Sequence, residues 1–286
     1  MKKIVVSTFS ILFSLTTYIA QSQVIELFPK GFINENKTYT EEHSTEVYAG
    51  HEAQRLTNVG TPTIKIYKAA TKAKNGKTII VSPGGGYNIL STDKEGSEVC
   101  EFLNKHGYDA ALLTYRVPRR EGREKHEAAL EDLQRAISII RKNGAEYGID
   151  NSEIGVIGFS AGAHLSVMAS TNDRIYDRID EIDDISCRPD FCALVYPAYL
   201  SGENFGVAED IKISSSIPKT FIAQSEDDKN FINSSIFYYY ALKEAKVPVT
   251  MHLYSNGGHG HGMRKTGKEA DQWSERYIDW LDSLNK

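Results

Sequence analysis

The chain has 286 residues, of which 41% are hydrophobic and 25% are charged, and its formal net charge at pH 7 is −5. This composition is that of a soluble globular protein. The mild acidity argues against nucleic acid or an anionic membrane as a partner, because both attract basic surfaces. The sequence contains no internal repeats and no Pro-rich linker, which favours a single domain after the leader described next.

The first 22 residues have the pattern of a secretory signal peptide. Two lysines open the chain, a short apolar run covers residues 4–20, and the small residues Ala20 and Ser22 mark a cleavage site. Serines and threonines interrupt the apolar run, so we do not expect a stable membrane anchor. The prediction is a signal peptide at residues 1–22, one domain at residues 23–286, and export to the periplasm or the medium.

The next part of the chain changes from polar to strongly apolar. Residues 23–60 are polar and weakly patterned, which predicts an arm lying over the body of the protein. Residues 61–67 alternate between polar and apolar side chains and predict an edge strand. Residues 78–82 form an apolar run, as a strand buried on both faces does, and Pro83-Gly84-Gly85-Gly86-Tyr87 follows it.

Helical and strand patterns alternate over the remainder of the chain. Apolar spacing predicts helices at residues 95–106, 127–142, 234–245 and 269–284. Apolar runs predict strands at residues 110–115, 154–157, 193–196, 220–223 and 249–254. This alternation predicts an α/β fold with a mostly parallel central sheet and helices on both faces.

The strand at residues 154–157 runs into Gly158-Phe159-Ser160-Ala161-Gly162, and a helical pattern of small residues follows. Gly-x-Ser-x-Gly between a strand and a helix is the pattern of a nucleophile elbow, a sharp turn that projects the serine hydroxyl above the sheet. A Cβ at either glycine would collide with the neighbouring strand or helix. Ser160 is therefore the candidate nucleophile.

A serine nucleophile needs a histidine base, which in this arrangement comes after an acid in the chain. His164 follows Ser160 on the same helix and His252 lies inside a strand, so we expect both to be structural. His259 lies in a glycine-rich loop directly after the last strand, where the base is expected. His261 in the same loop is the competing candidate.

The acid is expected a few residues beyond the strand at 220–223. Ser225-Glu226-Asp227-Asp228 lies there and offers two candidates. Counting from the end of the strand favours Asp228, whereas a shorter loop would favour Asp227. The aspartate that does not act as the acid is expected to lie in a solvent-exposed acidic turn.

An oxyanion formed during acyl transfer needs backbone N–H donors. Ala161, the residue after the nucleophile, supplies one, and Gly85 and Gly86 in the loop after a buried strand supply the others. The rival interpretation is a phosphate-binding loop. It is disfavoured because no Lys-Ser or Lys-Thr pair follows the glycines.

The three cysteines cannot all pair within the chain. Cys187 and Cys192 are five residues apart, and after export they could form a disulfide or remain as two thiols, with Cys100 buried and free. No Cys/His spacing resembles a zinc site. The sequence therefore predicts no metal site.

Seven short segments together carry a more specific likeness: residues 82–87, 93–96, 115–118, 158–162, 188–191, 196–197 and 257–260. Through them, residues 60–284 resemble the secreted branch of the α/β-hydrolase superfamily that contains acetyl xylan esterases and related carbohydrate esterases. The resemblance implies that Ser160 is the nucleophile, His259 the base and Asp228 the preferred acid. It also implies Gly85, Gly86 and Ala161 as the oxyanion donors.

The function expected from these residues is a serine esterase that removes acetyl or similar groups from plant polysaccharide, without a cofactor. Its partner would be an acylated carbohydrate or a small ester, and the sequence leaves the oligomeric state open. Tyr87 and Tyr196 are expected to wall a narrow substrate pocket that favours short acyl groups. The alternatives are a peptidase or amidase with the same triad, and a non-catalytic carbohydrate-binding protein.

Overall fold

The structure is a computed structural model that describes residues 23–284, except for residues 34, 36 and 71–75. The expected signal peptide at residues 1–22 lies outside these described residues. Within them, no helix combines the length and the apolar character that crossing a membrane requires.

Eleven strands are present in the described part of the chain: β1 (Val24–Glu26), β2 (Glu42–Tyr48), β3 (His51–Thr57), β4 (Thr63–Tyr67), β5 (Lys77–Ser82), β6 (Leu90–Ser91), β7 (Asp109–Thr114), β8 (Glu153–Phe159), β9 (Phe191–Val195), β10 (Lys219–Ser225) and β11 (Val249–Tyr254). The α-helices of the same part are α1 (Glu98–Lys105), α2 (Glu127–Asn143), α3 (Ala161–Thr171), α4 (Ile232–Glu244) and α5 (Trp273–Ser283). A π-helical turn (Asp93–Ser97) precedes α1, and 3-10 turns cover Glu181–Asp184 and Glu269–Gln272.

Eight strands form the central sheet in the order β1-β4-β7-β5-β8-β9-β10-β11. The pairs from β7 to β11 are parallel, and only β1–β4 and β4–β7 are antiparallel. Strands β5 and β9 are buried along their whole length, as expected where helices cover both faces. This is the α/β-hydrolase arrangement that the sequence predicts.

Two apolar layers hold the helices against the sheet. Leu133 of α2, Leu165 of α3 and Leu242 of α4 belong to one buried cluster. Leu103 of α1 and Leu281 of α5 belong to a second cluster on the other side. The predicted helices are thus placed on both faces.

The N-terminal part of the described chain differs from the prediction in two respects. The strand predicted at the edge, β4, is not an edge strand, because β1 pairs with it through Ile25 and Ile64. The predicted arm also contains the hairpin β2–β3, which forms a separate three-stranded sheet with β6. β2 is largely exposed and carries mostly polar residues, so it lacks the apolar alternation that identifies a strand in sequence.

The elbow forms between β8 and α3, and Ser160 adopts φ 52° and ψ −115° there. The N–H of Ser160 donates to the Val195 carbonyl at 3.1 Å, which ties the turn to β9. A Cβ on Gly158 would lie 2.1 Å from the carbonyl oxygen of Gly162, so no larger residue fits without displacing backbone. Close approach of β8 and α3 therefore fixes where the hydroxyl projects.

We predict that Gly158→Ala lowers the free energy of unfolding by about 3 kcal/mol, because the added methyl overlaps the α3 backbone. Gly122→Ala is the matched control. Gly122 has φ +73°, and a methyl group added there would have no neighbouring atom within 4 Å, so only the backbone conformation resists the change. That substitution should cost about 1 kcal/mol. Equal losses for the two variants in denaturant unfolding would contradict the close-packing argument.

Candidate active site

Three side chains from separate loops meet in one hydrogen-bonded chain. The Ser160 hydroxyl oxygen lies 2.8 Å from Nε2 of His259, and Nδ1 of His259 lies 2.7 Å from Oδ2 of Asp228. Ser160 follows β8, Asp228 follows β10 and His259 follows β11. Because these strands are parallel, their carboxyl ends lie at one edge of the sheet and bring the three loops together.

The geometry assigns the protons in this chain. A carboxylate accepts hydrogen bonds, so Nδ1 of His259 carries the proton that is donated to Asp228. Nε2 is then free to accept the proton of the Ser160 hydroxyl. This arrangement can activate the serine oxygen for attack on an electrophilic carbon.

The two adjacent aspartates of the acidic turn have different environments. Asp228 is buried, and its carboxylate contacts the ring of His259. Asp227 is exposed, and its carboxylate accepts a hydrogen bond of 2.7 Å from the N–H of Gly258. The structure thus places Asp228, and not Asp227, beside the histidine, while Asp227 holds the loop that carries it.

The other histidines considered in the sequence do not join this chain. The ring of His261 packs on Tyr196, and its Nδ1 donates to the Gly262 carbonyl at 3.2 Å. Burial lowers the pKa of His261 to about 4, so its ring is neutral at neutral pH. His252 packs against Phe221 at the outer end of the sheet, and His164 is fully buried on α3. His259 is therefore the histidine that the fold brings to Ser160.

The residues predicted to supply N–H donors lie near the serine in the chain or in the pocket. Gly85 and Gly86 line the same pocket as Ser160. The N–H of the preceding glycine, Gly84, is already used, because it donates to Oε2 of Glu95 at 2.8 Å. Ala161 is the first residue of α3, where an N–H has no acceptor within the helix. The Gly84 N–H is thus excluded as a free donor, and the assignment of the N–H groups of Gly85, Gly86 and Ala161 as oxyanion donors stays a prediction.

The loop of residues 84–86 requires glycine at position 85 because of its backbone conformation and its close approach to Ile89. Gly85 has φ +137°, and a Cβ there would lie 2.0 Å from the carbonyl oxygen of Ile89. The Gly85 carbonyl accepts the N–H groups of Asn88 and Ile89, which folds the loop back on itself. A larger residue at this position would open the loop and move its N–H groups.

An open pocket of about 240 Å³ lies above the serine. Besides the loops already named, the hairpin β2–β3 forms its wall through Glu46, Tyr48 and Arg55. Glu46 and Arg55 form an ion pair on neighbouring strands. No sequence signal identifies these three residues, since the polar pattern of the hairpin gives no sign that it reaches the active site.

The predicted pocket residues Tyr87 and Tyr196 do not line the pocket, and that prediction is wrong. Each is only 1% exposed. Each also has positive φ, 61° and 38°, so the chain turns at these positions and the rings lie beneath the site. The Tyr87 hydroxyl contacts Nδ1 of His164 at 2.8 Å, and the Tyr196 ring supports that of His259 at 4.9 Å between centroids.

A buried network connects the glycine loop to the histidine loop. Glu95 accepts hydrogen bonds from the Gly84 N–H at 2.8 Å and from the Tyr196 hydroxyl at 2.9 Å. The Tyr196 hydroxyl in turn accepts the N–H of Gly262 at 2.8 Å. Lys94 donates to the Gly260 carbonyl at 2.5 Å. The π-helical turn before α1 therefore holds both loops, although its sequence carried no predicted role.

The two open possibilities for Cys187 and Cys192 are resolved in favour of thiols. Both side chains and that of Cys100 are free and buried. Burial raises the pKa of Cys192 to about 12, which keeps it protonated. None of the three thiols belongs to the site around Ser160.

The sequence is similar to one protein family and to several characterised proteins. The BD-FAE family model matches residues 64–191. An acetylxylan esterase of Xylanibacter ruminicola is 28% identical over 235 residues, which are 73% of this chain and 46% of that protein. Endo-1,4-beta-xylanase B of Butyrivibrio fibrisolvens is 30% identical over 204 residues, 64% of this chain and 32% of that protein. The chain thus spans less than half the length of these curated relatives.

Solved structures extend the similarity over most of the chain. An acetyl ester-xyloside bifunctional hydrolase from Caldicellulosiruptor lactoaceticus is 30% identical, with a TM-score of 0.66 over 78% of this chain and 88% of that chain. The α/β hydrolase MGS-M1 from a Medee basin deep-sea metagenome library is 25% identical and has a TM-score of 0.62. The match covers 87% of this chain and 99% of that chain. The chain therefore belongs to the α/β-hydrolase superfamily, and it is similar to acetyl xylan esterases.

Proposed function

We propose that this protein is an exported serine esterase that removes acetyl or similarly short acyl groups from plant polysaccharide or oligosaccharide. The observation that carries the proposal is the hydrogen-bonded chain from Ser160 through His259 to buried Asp228, next to the N–H groups of the glycine loop. Export rests on the leader pattern of residues 1–22.

In the proposed reaction, the Ser160 oxygen attacks the ester carbonyl carbon while His259 takes the hydroxyl proton. The N–H groups of Gly85, Gly86 and Ala161 stabilise the negative charge on the carbonyl oxygen. His259 then gives its proton to the sugar oxygen, which leaves as a hydroxyl. A water molecule gives a proton to His259 and attacks the acyl carbon. The bond from that carbon to the Ser160 oxygen then breaks, His259 returns the proton to this oxygen, and the carboxylic acid is released.

The pocket supports a small acyl group on a polar leaving group. Its volume of about 240 Å³ is below the range of pockets that enclose drug-sized ligands. Glu46 and Arg55 place charged hydrogen-bonding groups at its wall beside the aromatic ring of Tyr48, a polar lining that suits sugar hydroxyls. The relatives named as acetylxylan esterase and acetyl ester-xyloside hydrolase support the same substrate class.

We predict that kcat/KM is highest for acetyl esters, lower for butyryl esters and lowest for octanoyl and feruloyl esters. Each further methylene adds at most about 0.8 kcal/mol of burial, and only if the pocket has room for it. The measurement compares p-nitrophenyl acetate, butyrate and octanoate with methyl ferulate, together with acetate release from acetylated xylan. A preference for octanoate or ferulate would contradict the acetyl specificity and leave only the broader esterase activity.

We predict that Ser160→Ala and His259→Ala each lower kcat by roughly 10⁴-fold or more, because one removes the attacking atom and the other the base. His261→Ala is the control for the histidine loop and should lose no more than about tenfold, since this ring packs on Tyr196 and donates to the Gly262 carbonyl, outside the chain from Ser160 to Asp228. Circular dichroism verifies folding of all three variants. Retained activity in His259→Ala, with loss in His261→Ala, would move the base to His261.

We predict that Asp228→Asn lowers kcat by roughly 10⁴-fold, because an amide in this position leaves His259 in the wrong tautomer. Asp227→Asn makes the same chemical change one residue away. It should cost less than about tenfold, since Asp227 contacts only the loop backbone. The reverse ranking of two folded variants would assign the acid to Asp227.

A further inference from the structure

A second group of polar side chains, apart from the Ser160 hydroxyl, brings together residues from three segments of the chain. His126 precedes the first residue of α2, His164 is one helical turn beyond Ser160 on α3, and Asp210 lies in the segment between β9 and β10. Each residue offers one ligand atom, and these three atoms all lie within 4.8 Å of one another. Within the described residues, no other group of three histidine, cysteine or acidic side chains converges in this way.

Two ring nitrogens of this group lack partners. His164 is 0% exposed and His126 is 7% exposed. No described residue forms a hydrogen bond with Nε2 of His164 or with Nδ1 of His126. Nε2 of His164 lies 3.9 Å from Oδ2 of Asp210, too far for a hydrogen bond. A buried polar atom without a partner is costly, so a ligand that bridges these atoms would relieve the cost.

The chemistry of the group suits a cation as that ligand. Imidazole nitrogens and carboxylate oxygens are the donors that divalent transition metals take in proteins. Asp210 has 41% of its side chain exposed, so its carboxylate is accessible from solvent and can adjust its position.

We propose that His126, His164 and Asp210 bind one divalent transition-metal ion of the zinc class. Two imidazoles and one carboxylate are a standard donor set for Zn²⁺, with a fourth position left for water. Tetrahedral bonds of about 2.0–2.1 Å place the ligand atoms about 3.4 Å apart, so the three atoms need to close from at most 4.8 Å. The exposed Asp210 carboxylate lies 3.9 Å from Nε2 of His164 and can close that pair by a small shift.

The other ring nitrogen of His164 connects this site to the active-site loop. Nδ1 of His164 contacts the Tyr87 hydroxyl at 2.8 Å, and Tyr87 directly follows Gly85 and Gly86. A metal on Nε2 leaves the proton on Nδ1, where it is donated to the tyrosine oxygen. The bound ion would thus fix the tautomer of His164 and brace the loop that carries two oxyanion donors.

One nearby charge opposes the cation. Lys125 lies with its amino group 4.4 Å from the centre of the Tyr199 ring, which packs on His164. Lys125 also directly precedes His126 in the chain, so its positive charge repels a cation bound to this group. Replacing this lysine with an uncharged side chain should therefore tighten metal binding.

The test measures binding of Zn²⁺ to the chelator-treated full-length protein by competition with a chromophoric chelator, and uses the absorption of bound Co²⁺ to report coordination. We expect one equivalent of Zn²⁺ with Kd of about 1 μM or below, and a rise in Tm of at least about 3 °C. Asp210→Asn should weaken binding by at least about 30-fold. Lys125→Met should strengthen it by several-fold.

Glu209→Gln is the matched control, since this neighbouring carboxylate is also exposed and does not belong to the group; it should bind Zn²⁺ as the unchanged protein does. Because Asp210 is exposed, its variant should fold, and its Tm without metal verifies this. Absence of stoichiometric binding would overturn the proposal. So would equal affinity in Asp210→Asn, or binding that is lost only in His259→Ala, which would place the ion on the active-site histidine. None of these readouts depends on esterase activity.

Discussion

The imidazole of His259 is held between the carboxylate of Asp228 and the hydroxyl of Ser160, and most of the local structure serves that alignment. Each member follows a different parallel strand, so the twist and register of the sheet set their distances. The tight turn at Ser160 requires close contact between β8 and α3, because Gly158 leaves room for no side chain. An error in any of these features would separate a pair of atoms now less than 3 Å apart.

Beneath the three side chains, a buried layer restricts the loops on which they lie. The Glu95 carboxylate accepts hydrogen bonds from the glycine loop and from the Tyr196 hydroxyl. The Tyr196 ring packs against that of His259, and its hydroxyl accepts a hydrogen bond from the N–H of Gly262. The loops that stabilise charge and transfer protons are thereby joined through one carboxylate. This arrangement fixes donors before a substrate arrives, which is the condition for effective electrostatic stabilisation.

The sequence predicted the central sheet and the Ser160–His259–Asp228 grouping well, because each depends on local patterns: apolar runs, a Gly-x-Ser-x-Gly turn and loops at strand ends. It failed where the outcome depends on long-range contacts or on backbone angles. Tyr196 was assigned to the pocket wall, but its positive φ turns the ring into the core. The hairpin with Tyr48 lines the pocket and pairs with β6, and no local pattern reveals such long-range contacts.

The central claim is that Ser160 is a nucleophile activated by His259, and covalent labelling tests it most directly. The purified protein is treated with a fluorophosphonate, and the modified peptide is identified by mass spectrometry. We predict one adduct per chain, located on Ser160. In His259→Ala, the rate of adduct formation should fall by at least about 10³-fold. An unlabelled folded protein, an adduct on another residue, or labelling of Ser160 at an unchanged rate without His259 would contradict it.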